Sequence, residues 1–362
     1  MLVSALQILL LLSIIGGMAN GGIVKNDSKK PDTKEQVTIK QHFAPRFYFK
    51  RFANNNWLQT IDLKQSQIIK PQTYSSVCYA PFYYAVETGQ EDSVSQEFEA
   101  FFQSIENIFA SRYDGIVKAV WDYQQLTDEQ LEALALFVAC LWLRSPVMRR
   151  QLNDMGEQMT KLTVASMASR PDFAEGAIEE LAKEGVVVTE ADIEEVKQAF
   201  INEEYSFELT NGLHLHMISE CEKYTKWLFA KNWRFYLAKS TKQFITSDTP
   251  VIEIYDQENR LFGNHIMQRQ HFFALTPHIL VELVNPLRSR KRVKRKVVTD
   301  AEVERYNVLR ARYSHKYCYA YNRLDIEDLL PYYEGGLAVN QAIAQYLHRI
   351  TKIGRASCRE RV

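Results

Sequence analysis

Three stretches of this chain hold residues that could do chemistry. In Gln-His-Phe-Ala-Pro-Arg-Phe-Tyr-Phe-Lys-Arg-Phe (41–52), His42 and Arg46 stand at the head of a run of aromatics. Histidine is the side chain whose ordinary pKa suits acid–base work near neutrality, and arginine is a bidentate grip for phosphate or carboxylate. Glu99 and Glu106 are seven residues apart, two helical turns, and so share one helix edge as a carboxylate pair would. In Phe-Ile-Thr-Ser-Asp-Thr-Pro-Val (244–251), a proline denies the strand ladder a donor, and Ser247 and Asp248 sit where their oxygens can turn away from it. Each stretch also has an ordinary reading. His42 and Arg46 then serve packing and surface, the two glutamates line a solvated helix edge, and Asp248 satisfies its own backbone in an Asx-type turn.

Other constellations carry less. His214 and His216 flank Leu215, and two apart on a helix they point away from each other, so they read as solvent-edge residues rather than a shared metal site. His265, His271 and His278 are spaced by six and seven on strands with no carboxylate adjacent in sequence. Arg288 to Lys296 holds seven basic residues in nine, without interleaved aromatics, and reads as a solvated loop. No phosphate-binding glycine loop, nucleophile elbow, HExxH or calcium-loop pattern is present.

The elements that must position these residues come from a chain of 362 residues, 46% of them hydrophobic, enough for one large or two intimate domains. Formal net charge is zero, so no global field recruits nucleic acid or membrane. Five cysteines without a CxxC argue against a disulfide framework and a zinc knuckle. A reducing, cytoplasmic setting follows, with export the alternative if residues 1–19 are a signal peptide. Residues 1–40 read as a flexible leader or misplaced start, and 41–352 as a single globular domain. Leu2 to Ile15 is too short to span a bilayer comfortably, and no membrane-spanning core is expected. Residues 353–362 back-translate to a sequencing-library adapter read in frame and are expected to be an artefact.

The coarse pattern predicts a hairpin over Trp57–Leu63 and Ser66–Lys70, then a helix opened by Ser93 with Gln96 and running to about Trp121. The core stripe of that helix is Val94, Phe98, Phe101, Phe102, Ile105 and Phe109. Thr127 with Gln130 caps a helix that is apolar nearly all round from Leu131 to Leu143, the mark of a central buried element, with Arg144 at its end. Pro171–Glu204 reads as a charged helical insertion, and Phe207–Ala230 as one long helix. Strands follow at Trp233–Leu237 and Val251–Tyr255, one or two over His265–Val284, and one at Lys316–Tyr321. Thr299 with Glu302 caps a helix through Tyr313, and Glu334–Arg349 is a last helix. Strands, a block of helices, then strands and helix indicate an α+β fold, with a predominantly helical core and a small mixed or antiparallel sheet.

Taken in order, these motifs resemble a bacterial family known as domain of unknown function 4238. His-Phe-x-Pro-Arg-Phe-Tyr-x-Lys-Arg-Phe at 42–52 resembles its opening motif. Glu99 with Ile105-Glu106 is similar to its helix motif, and Arg144-Ser145-Pro146 to its Arg-Thr-Pro. Trp233 with Phe244–Val251 resembles its most diagnostic stretch, usually Ser-Asp-Asn-Pro. Phe273-Ala-Leu-Thr-Pro is similar to a Pro-Leu-Ser-Pro segment, and Asn307 to a late-helix Asn. Phe272-Phe273 and Thr249 depart from the pattern. The resemblance ranks residues without implying a reaction.

Two functions remain open on this reading. One is a hydrolase of a phosphate-bearing substrate, nucleic acid or nucleotide. His42, Asp248 and Glu106 would be catalytic, and Arg46, Arg144, Ser247 and Asn307 would bind substrate. Glu99, Glu106 and Asp248 would hold a divalent cation through oxygen. The alternative is a non-enzymatic binding or interaction module with a structural Arg–carboxylate cluster and the Arg288–Lys296 segment as a partner surface. The identity of the partner and the oligomeric state are left open.

Overall fold

The computed structural model describes residues 40–84, 97–183, 185–202, 205, 211–255, 269–286, 293–327 and 329. The leader, the start of the first long helix, His265, most of the basic run, the last expected helix and residues 353–362 lie outside them. The chain begins with β1 (Lys40–His42), α1 (Arg46–Lys50), the hairpin β2 (Trp57–Asp62) and β3 (Gln67–Thr73), and β4 (Tyr79–Pro81). Helices follow: α2 (Glu97–Trp121), α3 (Asp128–Leu143), α4 (Pro146–Ala168), α5 (Phe173–Lys183), α6 (Glu190–Ile201), α7 (Gly212–Ser219) and α8 (Cys221–Phe229). The remainder is β5 (Asn232–Ala238), β6 (Thr246–Ser247), β7 (Val251–Tyr255), β8 (Arg269–Thr276), β9 (Ile279–Val284), β10 (Val293–Val298), α9 (Asp300–Arg312) and β11 (Tyr317–Ala320). The fold is α+β.

The chain divides into two compact units, one taking Asn153–Thr210 and the other Val37–Leu152 with Asn211–Val362. In the smaller unit, Val164, Ala168, Leu181, Ile193, Val196 and Phe200 form a core of their own. Thr189 and Asp192 form a capping box at the start of α6 there.

In the larger unit α3 is buried almost all round, from Leu131 to Leu143, and packs against α2 and α8. Trp142 at its end is 5% exposed. Its entry is fixed by the expected capping box, Thr127 accepting from the Gln130 N–H while the Gln130 side chain accepts from the Thr127 N–H. Thr127→Ala should therefore cost about 1 kcal/mol, read as a lower urea midpoint with an unchanged slope.

The stripe of α2 runs Phe102, Ile105, Phe109, Tyr113, Ile116 and Val120, all buried. Phe101, expected in that stripe, is exposed at 37%, because one residue before Phe102 it lies about 100° round the helix. The stretch read as one helix over Phe207–Ala230 is α7 and α8 with a break at Glu220. The basic segment, read as a loop, continues as β10, which pairs in parallel with β5.

An antiparallel pair of β1 with β4 and two larger sheets complete the unit. The larger has the order β10-β5-β9-β8-β7, with every pairing but the first antiparallel. The smaller, antiparallel sheet runs β3-β2-β11-β6. The aromatic run of 42–52 joins them. Tyr48 on α1 stacks on Phe273 of β8 at 5.4 Å, donates to the Ala274 carbonyl at 2.9 Å and shares a 2.6 Å hydrogen bond with Thr246 of β6. Phe49 packs edge-on against Tyr319 of β11. Among the described residues no single helix is long and apolar enough to cross a membrane.

Candidate functional site

Arg144 stands just past the last turn of α3 with its guanidinium fully buried. Nη1 and Nη2 both donate to Glu106 Oε1, each at 3.0 Å, and the guanidinium plane lies 4.8 Å from the Phe102 ring centre. The seven-residue spacing on α2 thus does what helical geometry promised. Glu106 takes the arginine, and Glu99, two turns earlier, lies within its electrostatic reach. Burial raises the Glu99 carboxyl above its ordinary range, Arg144 opposing and Glu106 adding to the rise. Among the described residues two atoms here have no hydrogen-bond partner, Glu99 Oε1 and Arg144 Nε.

His42 and Arg46 lie side by side, as residues four apart across the start of α1 can. Arg46 Nε donates to His42 Nε2 at 3.3 Å. That bond requires a bare Nε2, so the neutral ring carries its proton on Nδ1. Burial, then the charges of Arg46 and Arg144, push the His42 pKa down to about 4, against a backbone hydrogen bond at Ser75. At neutral pH this ring is uncharged and its Nε2 is engaged. A general acid needs the proton this ring lacks, and an efficient base needs a pKa nearer the working pH.

The Ser-Asp-Thr-Pro corner is built differently from an Asx turn. Asp248 Oδ1 accepts from the His315 N–H at 3.0 Å, and Oδ2 accepts from the Lys316 and Tyr317 N–H groups at 2.7 and 2.9 Å. Three successive backbone donors at the entry to β11 therefore cradle the carboxylate. Burial still dominates and raises its pKa to about 6. Ser247 closes on the local backbone, its hydroxyl donating to the Thr249 carbonyl and accepting from the Thr249 N–H. Asn307 on α9 accepts from the Ile245 N–H at 3.1 Å and donates to the Gln243 carbonyl at 2.8 Å. Arg310, one turn on, donates to the carbonyls of Thr249 and Pro250 at 3.0 and 2.6 Å.

The expected site residues thus fall into two groups. His42, Arg46, Glu99, Glu106 and Arg144 form one, linked by hydrogen bonds and by the field of Arg144. Ser247, Asp248 and Asn307 form the other, holding backbone at the corner. Tyr83 feels both Arg144 and Asp248. Glu99, Glu106 and Asp248, expected as cation ligands, are not gathered into one donor set. No group of three His, Cys, Asp or Glu among the described residues could hold a metal ion.

Three neighbours escaped the sequence. Arg149 packs its guanidinium 4.7 Å from the Tyr83 ring centre and reaches the Asn211 side chain. Its only sequence signal is its place in Arg-Ser-Pro-Val-Met-Arg. His214 is fully buried rather than at a solvent edge. Its Nε2 donates to the Leu143 carbonyl at 2.9 Å, capping the buried C-terminal end of α3, and burial pushes its pKa down to about 4. The two-apart spacing that excludes a shared metal says nothing about burial. Arg310 resembles any basic residue in a helix's last turn.

A family model described as protein of unknown function (DUF4238) matches residues 40–323. The chain belongs to that family. Compared with curated proteins and with solved structures, it has no match.

Proposed function

We propose that this chain is a non-enzymatic binding or interaction module, and that its Arg–carboxylate cluster is a structural brace. The observation that carries this reading is the placement of Arg144, fully buried with both terminal nitrogens committed to Glu106. A phosphate grip must be open to its ligand, whereas a brace is filled. The neutral, hydrogen-bonded state of His42 and the cradle around Asp248 support it further, since both groups are already engaged within the fold.

One observation favours a second reading, hydrolysis of a phosphate-bearing substrate. Among the described residues Glu99 Oε1, Arg144 Nε and His214 Nδ1 are buried polar atoms without hydrogen-bond partners, and such atoms ask for water or ligand. A single screen separates the two. Nucleic acids, nucleotides and phosphoesters are incubated with the purified chain, with and without Mg²⁺ or Mn²⁺, alongside His42→Ala and Asp248→Ala. The module reading expects no turnover, and loss of stability in Asp248→Ala. Turnover that disappears in a stably folded His42→Ala protein would establish the hydrolase instead.

A further inference from the structure

β10 is an outermost strand of the large sheet, with β5 on its inner edge and, among the described residues, no strand on its outer one. Such an edge presents a row of backbone N–H and C=O groups that a further strand can take up. Side chains alternate along it. Val293, Arg295 and Val297 share a face with their β5 partners Trp233, Phe235 and Leu237, while Lys294 and Lys296 share the other with Arg234 and Tyr236. Trp233, Phe235 and Leu237 are fully buried, yet Val297 beside them is 47% exposed. The core layer stops one strand short of the edge.

The end of α2 meets this edge on the same face. Arg295 folds back to donate from Nη2 to the Gln124 carbonyl and lies within the field of Tyr123. Tyr123 is 51% exposed, and the Lys239 ammonium stands 5.2 Å from the ring centres of both Tyr123 and Trp121. One face of the edge therefore offers an exposed valine and tyrosine. The other offers positive charge. β10 holds three of the seven basic residues of Arg288–Lys296. Lys296 bridges Glu302 at 2.6 Å, and Asp300 is taken by Ser240, Thr241 and the Lys242 N–H. Lys294 is exposed, and among the described residues no carboxylate pairs with it.

Lysines on an edge strand ordinarily guard it against pairing. The guard is selective, because Lys294 repels a basic strand and attracts an acidic one. An exposed valine on the opposite face is the reverse of a guard. We propose that the outer edge of β10 takes an extended segment of a partner protein, alternating apolar and acidic residues, as a further strand of the large sheet. Its apolar residues would cover Val297 and Tyr123, and its carboxylates would face Lys294. Single-stranded nucleic acid carries the same charge but has no peptide N–H and C=O to extend the ladder, so the open edge favours a peptide. The proposal rests on the module reading above and gives that module a partner of stated chemistry.

The probe is a capped, fluorophore-labelled six-residue peptide alternating valine and glutamate, matched to the length of β10 and titrated with the full chain while anisotropy is followed. A saturable rise is expected. The same composition in block order, valines then glutamates, should bind about tenfold more weakly or worse. So should the alternating peptide with its amides N-methylated, which keeps every side chain and loses the ladder donors. Lys294→Glu should weaken the alternating peptide by about tenfold. At saturation, amide hydrogen exchange should slow across Val293–Val298. No saturable rise, equal binding of the block or N-methylated peptide, or protection only outside β10 would each overturn the site. A thymidine hexanucleotide that binds where the peptide does not would assign the patch to nucleic acid instead. The peptide controls keep the test decisive if Lys294→Glu does not fold. The two readings also fail separately. Turnover in the phosphoester screen overturns the module and leaves this binding curve unchanged, whereas a flat curve overturns the edge and leaves the brace standing.

Discussion

Arg144→Met alone should destabilise the protein by about 3–5 kcal/mol, and Glu106→Leu alone by a similar amount. The double variant Arg144→Met/Glu106→Leu should recover most of that loss. The reasoning is one of solvation. Each single change leaves a charge in a place that water reaches poorly, because Arg144 is wholly buried and Glu106 is 21% exposed at its side chain. Removing both charges together removes the desolvation cost along with the attraction. Methionine also keeps the long stem that packs on Phe102. Urea midpoints of the four proteins form a double-mutant cycle, and the brace predicts a large coupling energy. Single variants that stay near wild-type stability would show that the pair is not bearing on the fold. The cluster would then have to be explained by a ligand, and the hydrolase reading would gain.

Acidification should weaken the protein steeply between about pH 6.5 and 4. Burial lowers the pKa of His42, His214 and His315 to about 4 each. A histidine with a depressed folded pKa contributes stability that is complete above its unfolded pKa and is lost as pH falls through the folded one. Asp248 works the other way. Its pKa is raised to about 6, so its contribution is complete below its unfolded pKa and disappears as pH rises through 6. Glu99 and Asp325, whose carboxyls burial also raises, act with Asp248, but the three histidines are displaced furthest and the net slope is toward instability in acid. His214, the most enclosed of the three rings, should alone account for about 3 kcal/mol across that window. Denaturation midpoints at a series of pH values would measure the slope. His214→Gln, which keeps a donor for the Leu143 carbonyl, should flatten it. An identical slope in that variant would remove His214 from the account.

Local signals were legible in the sequence, and long-range ones were not. Thr127 with Gln130, Thr189 with Asp192 and Thr299 with Glu302 announce helix starts because both partners lie within one turn. The buried helix was readable because Glu132 is the one charged residue in Leu131–Leu143. Arg144 and Glu106 could be nominated only through the family resemblance, since 38 residues separate them. The cradle of Asp248 was invisible for a different reason. Its partners are backbone N–H groups 67 to 69 residues away, and every residue but proline has one. Phe101 misled because adjacent aromatics on a helix cannot both face one core. His214 misled because spacing was used to judge ligation when burial was the question. Arg310 offered no signal at all, as a cation in a helix's last turn is the commonest of sights.

β11 has a consequence for how the protein is made. It lies between β2 and β6 in the small sheet, pairing Asp62 with Tyr317 on one edge and Ser247 with Cys318 on the other. On the ribosome, β2 emerges some 255 residues before its partner, a wait of roughly ten to fifty seconds at ordinary elongation rates. Through that interval the hairpin presents an unpaired edge, and the Ser-Asp-Thr-Pro corner lacks the backbone donors of 315–317. The small sheet is therefore sealed only once residues 315–320 have emerged. A nascent chain stalled short of Tyr317 carries two open strand edges into the cell, and with them the need for a chaperone.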